Sequence, residues 1–165
     1  MAGRGWRLLA GCLRATLLGA ATLQPLGAHA RGDKLQEAIA AFEQRGFVIR
    51  RDHPRCAEPQ LFGLYLRDRR EVVVCPKGNQ LGTLLHEGWH GVQSLCLRGT
   101  PLVGSDALLR QLGRRDRREL QLLYRPDQWQ REAEARVMAR EPLGRYVEAL
   151  NRACAVPTPQ PAQAD

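Results

Sequence analysis

Apolar positions along this chain recur with two different periods, and the changes of period mark out the elements. Leu35, Ala38, Ile39 and Phe42 repeat at spacings of three and four, so 33–45 is expected to be a helix closed by Gly46. Phe47-Val48-Ile49 is a short strand candidate, followed by a loop marked by Pro54 and Pro59. Stretches 61–66 and 71–75, the second containing Val72-Val73-Val74, form a predicted hairpin about the polar turn Asp68-Arg69. From there the spacing is helical throughout. Gly78-Asn79 opens a helix over 80–97, which Gly99 and Pro101 stop. Ser105-Asp106 caps a helix expected to reach Tyr124, and Pro126-Asp127 starts another running to Arg140. Pro142 precedes a last helix ending at Cys154. The expected class is α+β, a small antiparallel hairpin or sheet followed by a helical half.

The two ends of the chain follow different rules. Arg4, Arg7 and Arg14 precede the apolar run 15–23, Pro25 and Gly27 break it, and Ala28-His29-Ala30 supplies small residues at a cleavage point. That order is a secretory signal, assigned to residues 1–30, and the run is too short to span a bilayer. Leu9-Ala10-Gly11-Cys12 resembles a lipoprotein box, but few apolar residues stand before Cys12 and Arg7 interrupts them. The domain is therefore expected over 31–155 with no transmembrane segment, and a Pro-rich tail over 156–165 is expected to be disordered. The product would be periplasmic, lumenal or secreted.

Loss of the leader removes three arginines and no acid, taking the formal charge from +8 to +5. The densest basic stretch, Arg110 with Arg114-Arg115-Asp116-Arg117-Arg118-Glu119, interleaves acids and lacks aromatic residues for base stacking. A solvated helix face is expected there, and no nucleic-acid partner. Four cysteines remain, Cys56, Cys75, Cys96 and Cys154, an even number that suggests two disulfides with three possible connectivities. Cys56 lies just ahead of the first hairpin strand and Cys75 ends the second, while Cys96 and Cys154 close two helices. Cys56–Cys75 and Cys96–Cys154 are the favoured pairs.

His86-Glu87-Gly88-Trp89-His90 is the stretch that carries chemistry. Two histidines four apart on a helix point the same way and can share one metal ion. Glu87, a third of a turn away, can act as base on a water that the metal activates. Of the other candidates, His53 is an exposed loop histidine and Trp89 a core residue. Gly88 and Gly91 are each unfavourable inside a helix by about 1 kcal/mol relative to alanine. They would either leave the metal face open or admit a neighbouring backbone.

Hydrolytic zinc sites commonly add a carboxylate to two histidines, and Glu132-Ala133-Glu134-Ala135-Arg136 lies on a later predicted helix. With these residues the chain resembles the zincin metallopeptidases, in the branch whose third ligand is a glutamate on a downstream helix. In relatives with E-x-x-A-D or E-x-E-A-[DN], the first glutamate is the ligand. Carried over, the ligand is Glu132, with Ala135 at the small-residue position and Arg136 where an acid or amide usually stands. Glu134 is the alternative, on a different side of the helix. The resemblance covers about 61–154 and implies one Zn2+, a peptide or protein substrate, and an edge strand that holds it. It also implies a downstream donor for the oxyanion. No histidine follows His90, which leaves Tyr124 as the candidate and Tyr146 as the other tyrosine. The competing expectations are a zinc-binding but inactive module and a metal-free disulfide-held domain. Oligomeric state is open.

Overall fold

A computed structural model describes residues 26–155. Helix α1 (Leu26–Glu43) leads into strand β1 (Val48–Arg50), and strands β2 (Gly63–Leu66) and β3 (Glu71–Val74) follow. Helices α2 (Gln80–Leu95), α3 (Ser105–Gln111), α4 (Arg114–Leu123), α5 (Trp129–Met138) and α6 (Leu143–Ala153) complete the chain. The α+β class expected from the sequence is what the chain adopts. The leader assigned to 1–30 lies outside the described residues as far as residue 25, as does the tail from 156. α1 begins at Leu26, seven residues ahead of the expected start at Asp33.

The hairpin forms as the alternation predicted, with Leu64 opposite Val73 and Tyr65 opposite Val72. The sheet is mixed rather than purely antiparallel, because β1 pairs parallel to β3 and gives the order β1-β3-β2. A parallel partner needs a long connection, and the stretch between β1 and β3 supplies it with β2 inside it. β2 is left as an edge strand.

The expected single helix over 105–124 is instead two. Leu112 leaves helical geometry, and Asp116 accepts from the Gly113 N–H, so α4 starts afresh on its own cap. The break lets Leu108, Leu112 and Leu120 converge on Ala133 and Val137 of α5 as a small second core.

The main core is built around α2. Leu84, Leu85, Trp89 and Val92 make its buried face. They pack with Val72 and Val74 of β3, Ala38 and Phe42 of α1, Ala135 and Met138 of α5, and Leu150 of α6. Asn79 caps the helix by accepting from the Gly82 N–H. The buried Tyr146 hydroxyl donates to the Leu85 carbonyl at 2.7 Å, pinning α6 to the turn that precedes His86. Both favoured disulfides are present, Cys56–Cys75 and Cys96–Cys154. The second joins the ends of α2 and α6, and the first ties the segment before β2 to the end of β3.

Gly88 and Gly91 face this core rather than the metal side, and aromatic rings, not backbone, approach them. A Cβ on Gly88 would stand 2.1 Å from Phe42 Cζ, and one on Gly91 2.5 Å from Phe47 Cε1. Phe42 is 0% exposed and has no space to retreat. Gly88→Ala is therefore expected to lose about 1–3 kcal/mol through overpacking, despite the better helix propensity of alanine. Urea denaturation measures this, and a variant as stable as wild type would show that α1 and α2 separate freely.

Candidate metal centre

Because α2 has its apolar face inward, the opposite edge of the helix presents His86 and His90 one turn apart, with ring centroids 4.8 Å from each other. α5 lies against α2 and brings Glu132 to both rings. Glu132 Oε1 is 3.2 Å from His90 Nε2, and Oε2 is 3.7 Å from His86 Nε2. One ligand atom from each residue lies within 4.8 Å of the others, the arrangement a metal ion requires. The two nitrogen–oxygen distances are close to the roughly 3.3 Å edge of a tetrahedron with bonds of about 2 Å.

The hydrogen bonds behind His90 decide which of its atoms is free. Gln93 Nε2 donates to Glu134 Oε2 at 2.7 Å and to the Arg131 carbonyl at 3.0 Å. With its amide protons committed, Gln93 turns its oxygen to His90 Nδ1, 3.0 Å away, and Nδ1–H must donate. His90 Nε2 then faces Glu132 Oε1 at 3.2 Å, a contact that a proton or a metal ion can bridge. Glu132 Oε2 is also buried with no hydrogen-bond partner. Two imidazoles and a carboxylate with one orphaned oxygen form a donor set that could hold a metal ion.

Burial pushes the Glu132 carboxyl up, but the adjoining His86 and His90 imidazoles outweigh it and hold the group well below the usual carboxylate range. For His90 burial acts downward, and the Glu132 carboxylate more than offsets it, so the imidazole lies above its ordinary value.

Glu134, the alternative to Glu132, lies outside the His86, His90 and Glu132 group. It is 0% exposed, and besides Gln93 it accepts from the Leu102 and Val103 N–H groups at 2.6 and 2.8 Å. The i+2 offset from Glu132 turns it to the interior, where it anchors the loop after α2 and, through Gln93, the orientation of His90.

Glu87 is half-buried and lines a cavity of about 500 Å3 with His86, Gly63, Thr83, Arg136 and Arg140. β2 reaches this cavity closely: a Cβ on Gly63 would lie 2.4 Å from Thr83 Cγ2 and 3.3 Å from Glu87 Cγ. Only glycine lets the edge strand come so near the helix.

Tyr124 stands beside Glu132 and Arg136, and burial and the Glu132 charge raise its phenol above the ordinary value. Tyr146 is excluded as a site residue, since its hydroxyl is spent on Leu85 in the core. Arg136 occupies the position where the zincin signature has an acid or amide. Its Nη1 donates to Glu119 at 2.7 Å, and its guanidinium carbon is 5.9 Å from the Tyr124 ring. Asp116, buried beneath, takes both Arg140 nitrogens at 2.6 Å, and that hydrogen bonding holds its carboxyl below the usual range. The acids of the basic stretch thus fold inward to fix Arg136 and Arg140, while Arg110, Arg114, Arg117 and Arg118 stay exposed, as a solvated helix face should.

Gln93 was not singled out by sequence reasoning, and the meeting of Asp116 and Glu119 with Arg136 was not foreseen there. Gln93, one turn beyond His90, carried a legible signal in its spacing. The arginine group carried none, because its members meet only when α4 packs on α5. No family model, curated protein or solved structure matches this chain.

Proposed function

We propose that this chain is an exported zinc-dependent metallopeptidase of zincin type. The observation that carries the proposal is the meeting of His86, His90 and Glu132 from two helices, beside Glu87 and beneath an edge strand. Two disulfides fit an oxidising compartment and agree with a cleaved leader. Among the described residues no helix is long and apolar enough to cross a membrane.

His86, His90 and Glu132 would hold the ion, and Gln93 sets the tautomer that His90 offers. When bound, zinc supplies Lewis acidity, polarising a carbonyl and acidifying a water beside it. The substrate backbone pairs with the free edge of β2, which aligns an extended peptide over Glu87. Glu87 takes the proton from the attacking water and passes it to the leaving amine. Tyr124 and Arg136 lie on the Glu132 side of the site and together supply a hydroxyl and a fixed positive charge for the developing oxyanion.

The test is cleavage of an internally quenched peptide library by the zinc-loaded protein and by Glu87→Gln. Wild type is expected to cleave, and Glu87→Gln to retain its zinc while losing about 10²–10⁴-fold in rate. Failure of zinc-loaded wild type to cleave any member, or equal cleavage by the variant, would overturn the proposal.

A further inference from the structure

A second cavity, of about 490 Å3, opens where α2 ends and α5 begins. Arg67, just past β2, Arg98, in the turn after α2, and Arg131, next to Glu132, all line it. Among the described residues none of these three arginines forms an ion pair, although eight other arginines do. Arg131 Nε is buried without a hydrogen-bond partner, which leaves a desolvated donor unanswered. The two acids of the lining are already engaged. Asp127 pairs with Arg125 at 3.0 Å, and Glu134 is spent on Gln93 and two backbone N–H groups. An incoming anion would complete this set.

The cavity also has a definite place along the substrate path. β2 and α2 run side by side in the same sense, with Gly63 against Thr83 and Glu87, Tyr65 against Gly91, and Arg67 at the level of Gln93 and Ser94. The metal group is centred between His86 and His90, so the arginine cavity lies about one and a half helical turns further on. A peptide added antiparallel to β2 arrives there with the residues that precede the bond at the metal. From the middle of the metal group to Gln93 and Ser94 is roughly 8 Å along α2, and at about 3.3 Å per residue that is roughly two or three residues of extended peptide.

Resting on the metallopeptidase proposal, we infer that this cavity is a subsite for a carboxylate side chain two or three residues before the cleaved bond. The preferred substrates are then acidic peptides. The carboxylate is held by Arg131, whose neighbour Glu132 fixes its position relative to the metal, and by Arg98 and Arg67 at the rim.

The test is binding of fluorescent peptides to the full chain carrying Glu87→Gln, with zinc content measured on the same samples. Two peptides are compared, identical except for glutamate or glutamine at that position. The glutamate peptide is expected to bind about tenfold more tightly, and Arg131→Gln or Arg98→Gln to erase the preference with zinc content unchanged. Arg98 is exposed, so its substitution tests the subsite without risk to folding. Equal binding of the two peptides, or a preference that survives both substitutions, would overturn the subsite. Inorganic phosphate that displaces the glutamate peptide at lower concentration than free glutamate does would overturn the carboxylate assignment. A protein that binds no zinc yet prefers the glutamate peptide sinks the peptidase proposal and leaves the subsite standing. Zinc-loaded protein without the preference does the reverse.

Discussion

Glu132→Ala is expected to take the purified protein from about one zinc per chain to none retained after dialysis, while wild type keeps its ion. Glu132 is the only group that α5 contributes to the trio, and both its oxygens face imidazole nitrogens at 3.2 and 3.7 Å. Without it, two histidines on one helix remain, and a pair on one side of an ion leaves the opposite side to solvent. Groups that merely orient a ligand are worth 10–100-fold in affinity, so loss of the ligand itself should exceed about 100-fold. The same deficit appears in stability. Zinc at about 100 times its dissociation constant should stabilise wild type by about 2.7 kcal/mol and Glu132→Ala by at most about 0.4 kcal/mol. Metal analysis and thermal unfolding with and without added zinc read the two effects. Zinc retained by the variant at the wild-type level would remove Glu132 from the site.

The second large effect is expected at Glu134, and it is one of folding. Glu134→Ala leaves the Leu102 and Val103 N–H groups and the Gln93 amide without their acceptor, in a place where the carboxylate was 0% exposed. A buried donor left without its acceptor typically costs about 1–3 kcal/mol, and here three lose the same one. Urea denaturation at unchanged m-value measures it, and a loss below about 1 kcal/mol would mean that water replaces the carboxylate. Zinc affinity should fall as well, by about 10–100-fold, since Gln93 then loses the contact that turns its oxygen to His90. The two neighbouring glutamates separate cleanly: at Glu132 the metal is lost and the fold kept, while at Glu134 the fold weakens and the metal follows.

That separation illustrates how far the chain could be read. The helix bearing His86, Glu87 and His90 was legible because its apolar period, its Asn79 cap and its histidine spacing all speak within one short window. The hairpin was legible from alternation, and with the hairpin in place the Cys56–Cys75 pairing followed. The place of Glu132 beside the two histidines was legible only through resemblance to a signature in which a small residue follows the glutamate by three. Nothing local told Glu132 from Glu134, both being acids on a short helix. The break at Gly113 was missed because Leu108, Leu112 and Leu120 keep a helical spacing across it, and the Asp116 side chain outweighed that spacing by capping a new helix.

What the sequence by itself determined is the set of features that depend on neighbours in the chain: the class of fold, the strands and the histidine-bearing turn of α2, while the cysteine pairs were favoured among three connectivities. What only the tertiary structure decided is which groups from separate elements share a space. The direction of β1, the approach of β2 to Glu87 across Gly63, the burial of Glu134 and the fixing of Arg136 by Asp116 and Glu119 all belong there. The physical reason is range. Helical and strand periods, caps and turns are set over a few residues. The partner of a buried charge is set by packing between segments that lie tens of residues apart, and no pattern within either segment encodes it.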